Sequence, residues 1–181
     1  MSTNGSLGFD PIAEARRQWD GHGWGTASAG MEAVTSVMRV QQLLLHSIDA
    51  ALEPFGLTFA RFELLALLSF TREGALPLGK IGARLQVHPA SVTNVVDRLE
   101  REGLVERRAH PTDRRAILAT LTPEGRAVAA KATDALNEQV FAALELPDGD
   151  LDTVNRGLRA LRVAAGDPDA SGRTLVADGP T

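Results

Sequence analysis

The 181-residue chain contains no cysteine and no tyrosine, and aromatic residues make up 4% of it. Without thiols it has no disulfide framework, no thiolate zinc site and no cysteine-based catalysis or redox sensing. Long apolar runs are missing as well. No stretch approaches the ~20 residues that cross a bilayer, and the start, MSTNGSLGFD, does not read as a signal peptide. These absences set the expectation of a soluble cytoplasmic protein with no membrane partner. What remains is rich in alanine, leucine and arginine, a composition that favours helix over sheet.

Charge is also short, but only on average. The formal net charge is -4, yet Lys80–Arg115 holds eight basic and five acidic residues, a local excess of +3. A basic patch on an acidic body is either an electrostatic footprint for a polyanion or a solvated arginine-rich surface. Its densest part is RRAHPTDRR, Arg107 to Arg115, with four arginines in nine residues.

Periodicity places that patch. Residues 1–30 read as an extension rich in glycine, serine and threonine, with one short helix from Pro11 to Trp19 and a glycine-rich loop over DGHGWGTASAG. From Met31 to about Glu53, Met31, Val34, Met38, Leu45, Ile48 and Leu52 fall at three- and four-residue spacing with Gln41 as the polar exception, and Val37, Val40, Leu44 and Ala51 form a second stripe. A helix with two apolar stripes has two faces to bury. A second helix covers Ala60 to Phe70. Leu78–Leu85 and Pro89–Glu102 then read as two short helices joined by a tight turn, with Gly103 as the stop. That spacing, with a polar outer face on the second helix, is the helix-turn-helix pattern. Leu104–Arg108 and Arg114–Leu121 have strand character, and Ala109–Asp113 forms the hairpin loop between them. Thr122-Pro123-Glu124 opens a helix that runs to about Leu144. A last helix, capped by Asp148 or Asp150, carries Leu151, Val154, Leu158 and Leu161 at a 3-4-3 spacing. From residue 165 the chain reads as a disordered tail.

The expected fold is therefore mostly α, with minor α+β character: a winged helix-turn-helix over about 60–121, its wing two-stranded. Helices 31–53 and 122–164 form a further helical region. The second helix of such a motif fits the major groove and reads base edges from its N-terminal half. There the outward residues include His88, Ser91, Thr93 and Asn94, while Arg98 and Arg101, a turn or more later, are placed for phosphates. An arginine on a narrow hairpin can enter the minor groove. A carboxylate two residues before it can hold the guanidinium in a bidentate ion pair, which assigns Asp113 to Arg115. Arg107, Arg108 and Arg114 are then phosphate partners. Alone, DRR is equally a surface ion-pair cluster; its place on this hairpin behind this helix favours DNA.

The run SVTNVVDRLEREGLVERRAHPTDRRAILATLTPEG resembles the MarR family of bacterial winged-helix transcription regulators, through VDRLEREGLVER, the wing DRR and the LTPEG that opens the next helix. The resemblance spans roughly residues 31–164. It implies a homodimer whose N- and C-terminal helices intertwine, with double-stranded DNA bound at a pseudo-palindromic operator. It assigns Asp113 and Arg115 to the wing pair, places Ser91, Thr93 and Asn94 in the recognition helix, and matches Arg98 to a retained helix arginine. His88 departs from the serine-like cap that is usual at its position, and either caps weakly or approaches DNA.

Many members of that family release DNA when a small aromatic or phenolic anion binds between the dimer helices and the winged helix. By that resemblance the effector candidates here are Trp19, Trp24, Arg39, His46 and Arg61, each of which equally suits a packing or surface role. Oxidant sensing through cysteine is excluded. Catalysis finds no support: the four histidines (His22, His46, His88, His110) lack metal-ligand spacing, and there is no phosphate-binding glycine loop or nucleophile elbow. No cofactor or metal is expected. Two alternatives remain, a winged helix used for protein contacts and an activator without small-molecule control.

Overall fold

A computed structural model describes residues 8–113 and 115–167. The chain divides into two compact units, Met1–Ser47 and Ile48–Thr181.

In the first unit, helix α1 spans Pro11–Gly21. The Asp10 carboxylate caps it by accepting the backbone N–H of Ile12 at 2.8 Å and of Ala13 at 3.3 Å. Proline at the first helical position costs nothing, because that N–H has no partner within a helix anyway. Helix α2 spans Gly25–Leu52 and so crosses into the second unit. It begins six residues before the expected Met31, and the expected loop over GTASAG is helix. Ala27 and Ala29 favour helix intrinsically. Ser28, a residue that often competes with the helix backbone, is buried and donates its hydroxyl to the Gly25 carbonyl at 3.0 Å. An ion pair between Arg16 and Glu32 ties α1 to α2.

The second unit holds the core. Helix α3, Phe59–Ser69, buries Leu64, Leu65 and Leu68 completely or nearly so. Strand β1, Ala75–Pro77, leads directly into α4, Leu78–Leu85. Helix α5 follows over Pro89–Arg101, inserting Val92, Val96 and Leu99 into the core. Strands β2, Val105–Ala109, and β3, Ile117–Leu121, form the wing. The sheet is three-stranded and antiparallel, in the order β1-β3-β2, with Leu76 opposite Ala119 and Arg107 opposite Ala119 on the other side. The expected wing had two strands. The third escapes sequence reading because it is three residues long and ends in proline, which is tolerated only where its missing N–H is not needed.

Helix α6 spans Pro123–Leu136 and continues into a π-turn at Asn137–Phe141. Its apolar residues are spaced strictly by four, a step that drifts ~40° per turn on an ideal α-helix. The wider π-turn offsets that drift, and Val140 is still buried beside Ala132 and Leu136. The expected single helix to Leu144 therefore ends early. Helix α7, Asp150–Ala164, starts from Gly149 in the left-handed region (φ 84°) rather than from an aspartate cap. The expected disordered tail from residue 165 lies, from 168 onward, outside the described residues.

Candidate nucleic-acid interface

The turn between α4 and α5 is compact. Gln86 adopts φ 54°, a left-handed conformation that is strained for a side chain of this kind, and it ends α4. Gly82 permits the close approach, since a Cβ there would sit 3.2 Å from the Val87 carbonyl oxygen. His88 caps α5: its Nδ1 accepts the Ala90 backbone N–H at 3.2 Å. Of the two roles open to His88, the structure supports capping.

Beyond the cap, Ser91, Thr93, Asn94 and Arg98 are exposed on α5. Thr93 donates its hydroxyl to the Pro89 carbonyl at 3.2 Å. Among the described residues Ser91 and Asn94 have no side-chain hydrogen-bond partner, so their donors and acceptors are uncommitted. Arg98 shares the Glu102 carboxylate with Arg61: Arg98 Nε lies 2.6 Å from Oε1, and Arg61 Nη1 lies 2.9 and 3.0 Å from the two oxygens. Glu102 thus joins α3 to the end of the recognition helix.

On the wing, Arg107 is not available to phosphate, contrary to expectation. Its guanidinium pairs with both Asp97 and Glu100 of α5, and its backbone N–H donates to Glu100 Oε1 at 3.1 Å. Partial burial acts to lower its pKa, but hydrogen bonds to the two carboxylates and their charges outweigh that and raise it above the ordinary arginine value. Arg107 fastens β2 to the recognition helix. Arg108 pairs with Glu106 on its own strand but stays largely exposed. Arg114 lies outside the described residues.

The hairpin tip also departs from expectation. Strand β3 starts at Ile117, not Arg114, so Arg115 belongs to the loop. Asp113 forms no ion pair with the Arg115 guanidinium among the described residues. Instead its Oδ1 accepts the Arg115 backbone N–H at 2.9 Å. A short carboxylate reaches the backbone two residues on more readily than a mobile side-chain end, the geometry of an Asx turn. The aspartate orients Arg115 through the main chain.

Behind the wing, Thr122 caps α6 by accepting the Gly125 N–H at 2.9 Å while donating its hydroxyl to the Gly103 carbonyl at 2.8 Å. Gly125 is buried against Leu104, and a Cβ there would overlap the Leu104 carbonyl. The TPEG motif therefore locks the start of α6 onto the end of the recognition helix.

The effector candidates fall in both units: Trp19, Trp24, Arg39 and His46 in the first, Arg61 in the second. Arg61 is committed to Glu102, which removes it as a free anion partner. Trp19 and Trp24 meet edge to face in the first unit with centroids 5.2 Å apart, and His22 stacks on Trp24. Arg39 and His46 are exposed on α2. Sequence reasoning passed over Asp97, Glu100 and Glu102. The Arg98–Glu102 spacing of four was a readable signal; the ties from Arg107 and Arg61 join separate elements and left none.

The MarR family profile matches residues 57–117, the helix-turn-helix and most of the wing. The chain is 35% identical over 112 residues to the HTH-type transcriptional repressor Mb2911 of Mycobacterium bovis, an alignment covering 60% of this chain and 79% of that protein. This chain belongs to the MarR family. The crystal structure of Sco5413, a MarR family transcriptional regulator from Streptomyces coelicolor, is similar at 50% identity and TM-score 0.69, covering 78% of this chain and 98% of that one. CouR from Rhodococcus jostii RHA1, solved bound to p-coumaroyl-CoA, is similar at 27% identity and TM-score 0.61, covering 69% and 87% of the two chains. The alignments to two curated Bacillus subtilis regulators span 54% and 60% of their lengths. The curated relatives are named as HTH-type transcriptional regulators or repressors. No described helix is long and apolar enough to cross a membrane.

Proposed function

We propose that this MarR-family chain is a homodimeric repressor that binds a pseudo-palindromic operator and is released by a small aromatic or phenolic acid-like effector. The observation that carries the DNA reading is the pairing of an open recognition face, Ser91 and Asn94, with a wing tip whose Arg115 has no carboxylate partner among the described residues. The recognition helix supplies base-edge contacts, Arg98 and Arg108 supply phosphate contacts, and Arg115 enters the minor groove. The homodimer reading rests on apolar residues left exposed on α2 and, separately, on α7. Such stripes at helical spacing mark interfaces. Effector release draws on the kinship with CouR, solved with p-coumaroyl-CoA.

The test is a gel shift with the region upstream of the protein's own coding sequence at ~150 mM salt, where most non-specific contact is lost. The reading expects one fragment to bind far more tightly than random DNA, as a dimer, and aromatic acids or their coenzyme A thioesters to release it. If no fragment outcompetes random DNA, the repressor reading fails.

A further inference from the structure

The wing tip, residues 110–116, is closed by the His110 backbone N–H donating to the Ala116 carbonyl at 3.2 Å. Within it the His110 side chain turns back on its own loop. Nδ1 lies 3.3 Å from the Thr112 backbone nitrogen, 3.2 Å from that of Asp113 and 3.3 Å from the Thr112 hydroxyl. Asp113 carries the pattern on, its side chain taking the Arg115 N–H and its carbonyl the Ala116 N–H at 3.1 Å.

A backbone N–H can only donate, so Nδ1 must be the unprotonated, accepting nitrogen. The single proton of the neutral ring is then on Nε2. His110 thus fills the role that asparagine or aspartate usually takes in a turn, with one difference. An ionised aspartate has no donor and the asparagine amide keeps its donors close to the loop, whereas an imidazole with one nitrogen committed carries a donor across the ring. Among the described residues Nε2 of His110 has no hydrogen-bond partner. The same arrangement heads the recognition helix, where Nδ1 of His88 accepts from Ala90.

We propose that His110 is a further DNA-contacting residue of the wing, its Nδ1 shaping the tip and its Nε2–H donating to an acceptor oxygen of the DNA backbone. The proposal rests on the reading of this hairpin as a DNA-binding wing. Backbone oxygens take half or more of protein–DNA hydrogen bonds and are the acceptors such a tip meets first. Because the ring is neutral, its contact adds no counterion release, and the salt dependence of binding does not register it. That separates it from the arginine beside it.

The experiment uses the full chain and a duplex that it enriches from a randomised pool. Long-range proton–nitrogen spectra of the imidazoles in the free protein at pH 8 are expected to show His110 as the Nε2–H tautomer. His110→Asn keeps an acceptor for the loop, while its remaining N–H donors sit on the shorter amide, out of reach of the acceptor that Nε2–H meets. It is expected to bind about fivefold more weakly, with the salt slope unchanged and with an unaltered thermal transition. His110→Ala loses both functions and binds more weakly still. Arg115→Ala serves as the charged control, lowering the slope by about 1. An Nδ1–H tautomer in the free protein, wild-type affinity in His110→Asn, or a reduced salt slope in that variant would each overturn the proposal. If the wild-type chain enriches no duplex, the DNA-binding reading itself fails and takes the Nε2–H contact with it, while the tautomer in the free protein still decides the loop-shaping half.

Discussion

At the scale of single residues, the wing arginines differ in what holds them. Asp113 reaches the Arg115 main chain, not its guanidinium, and this changes what a substitution does. Asp113→Asn removes the charge but keeps an oxygen that accepts the same N–H, so operator affinity measured by fluorescence anisotropy should stay within about threefold of wild type. Asp113→Ala removes the turn and should cost about tenfold, the order of one charge-assisted hydrogen bond. Were the aspartate acting through an ion pair, the two variants would be equally weak. Arg107 invites a sharper experiment. Its single positive charge offsets one of the two negative charges that Asp97 and Glu100 place on the face proposed to meet DNA. Arg107→Ala should weaken binding without the drop of about 1 in salt slope expected for a lost phosphate contact. Adding Asp97→Asn and Glu100→Gln should restore most of the affinity. A slope that falls, with no recovery in the triple variant, would return Arg107 to the phosphate.

At the scale of elements, the helices of the winged helix were readable because each buries one face: Ile81, Val92, Val96 and Leu99 recur at helical spacing and all prove to be core. The recognition helix and α4 start where proline, turn residues and periodicity place them. What the sequence concealed was set by long-range pairing. Strand β1 exists because β3 offers its free edge to three residues that carry no strand signal of their own. Arg115, expected in the second wing strand, instead sits in a loop, with its N–H taken by the Asp113 carboxylate. Gly125 was legible as part of a motif, but its reason is tertiary. Gly125→Ala should destabilise the fold by about 3 kcal/mol, the upper end of overpacking, because the obstacle is backbone rather than a side chain that can move. Urea denaturation measures it, and a loss under 1 kcal/mol would mean α6 can shift off Leu104. Helix α3 carries a second expectation. Burial pushes the Glu63 carboxyl above its ordinary value, so the folded state binds its proton more readily than the unfolded chain. Stability is therefore fullest below the ordinary carboxylate pKa and declines as pH rises through the raised value. Glu63→Gln should raise the melting temperature at pH 7 and flatten that decline; an unchanged profile would place the pH dependence elsewhere.

At the scale of the whole molecule, the second unit has a complete core, yet α7 contributes no buried residue to it. Leu151, Val154, Leu158 and Leu161 repeat on one helical stripe and remain 38–45% exposed. Burying a leucine fully is worth about 1.5–3 kcal/mol, and a twofold axis counts each substitution twice. Replacing Leu158 and Leu161 by glutamate would remove four such side chains from a symmetric interface built on this stripe and place four carboxylates there. With about two fifths of each side chain left to bury, the dimer should weaken by ~2–5 kcal/mol from lost burial, or about two to three orders of magnitude in dissociation constant, and the four carboxylates add to this. Because both positions are exposed within one chain, the substitutions leave the fold of the winged helix untouched, and helical circular dichroism and a cooperative melt should persist. Sedimentation should then report monomers at micromolar concentration. Affinity for a two-half-site duplex should fall steeply, while binding to a single half-site, already weak, should barely change, since the second half-site is held only through the partner. A double variant that still sediments as a dimer would show that α7 faces solvent and that the two half-sites are joined through α2 alone.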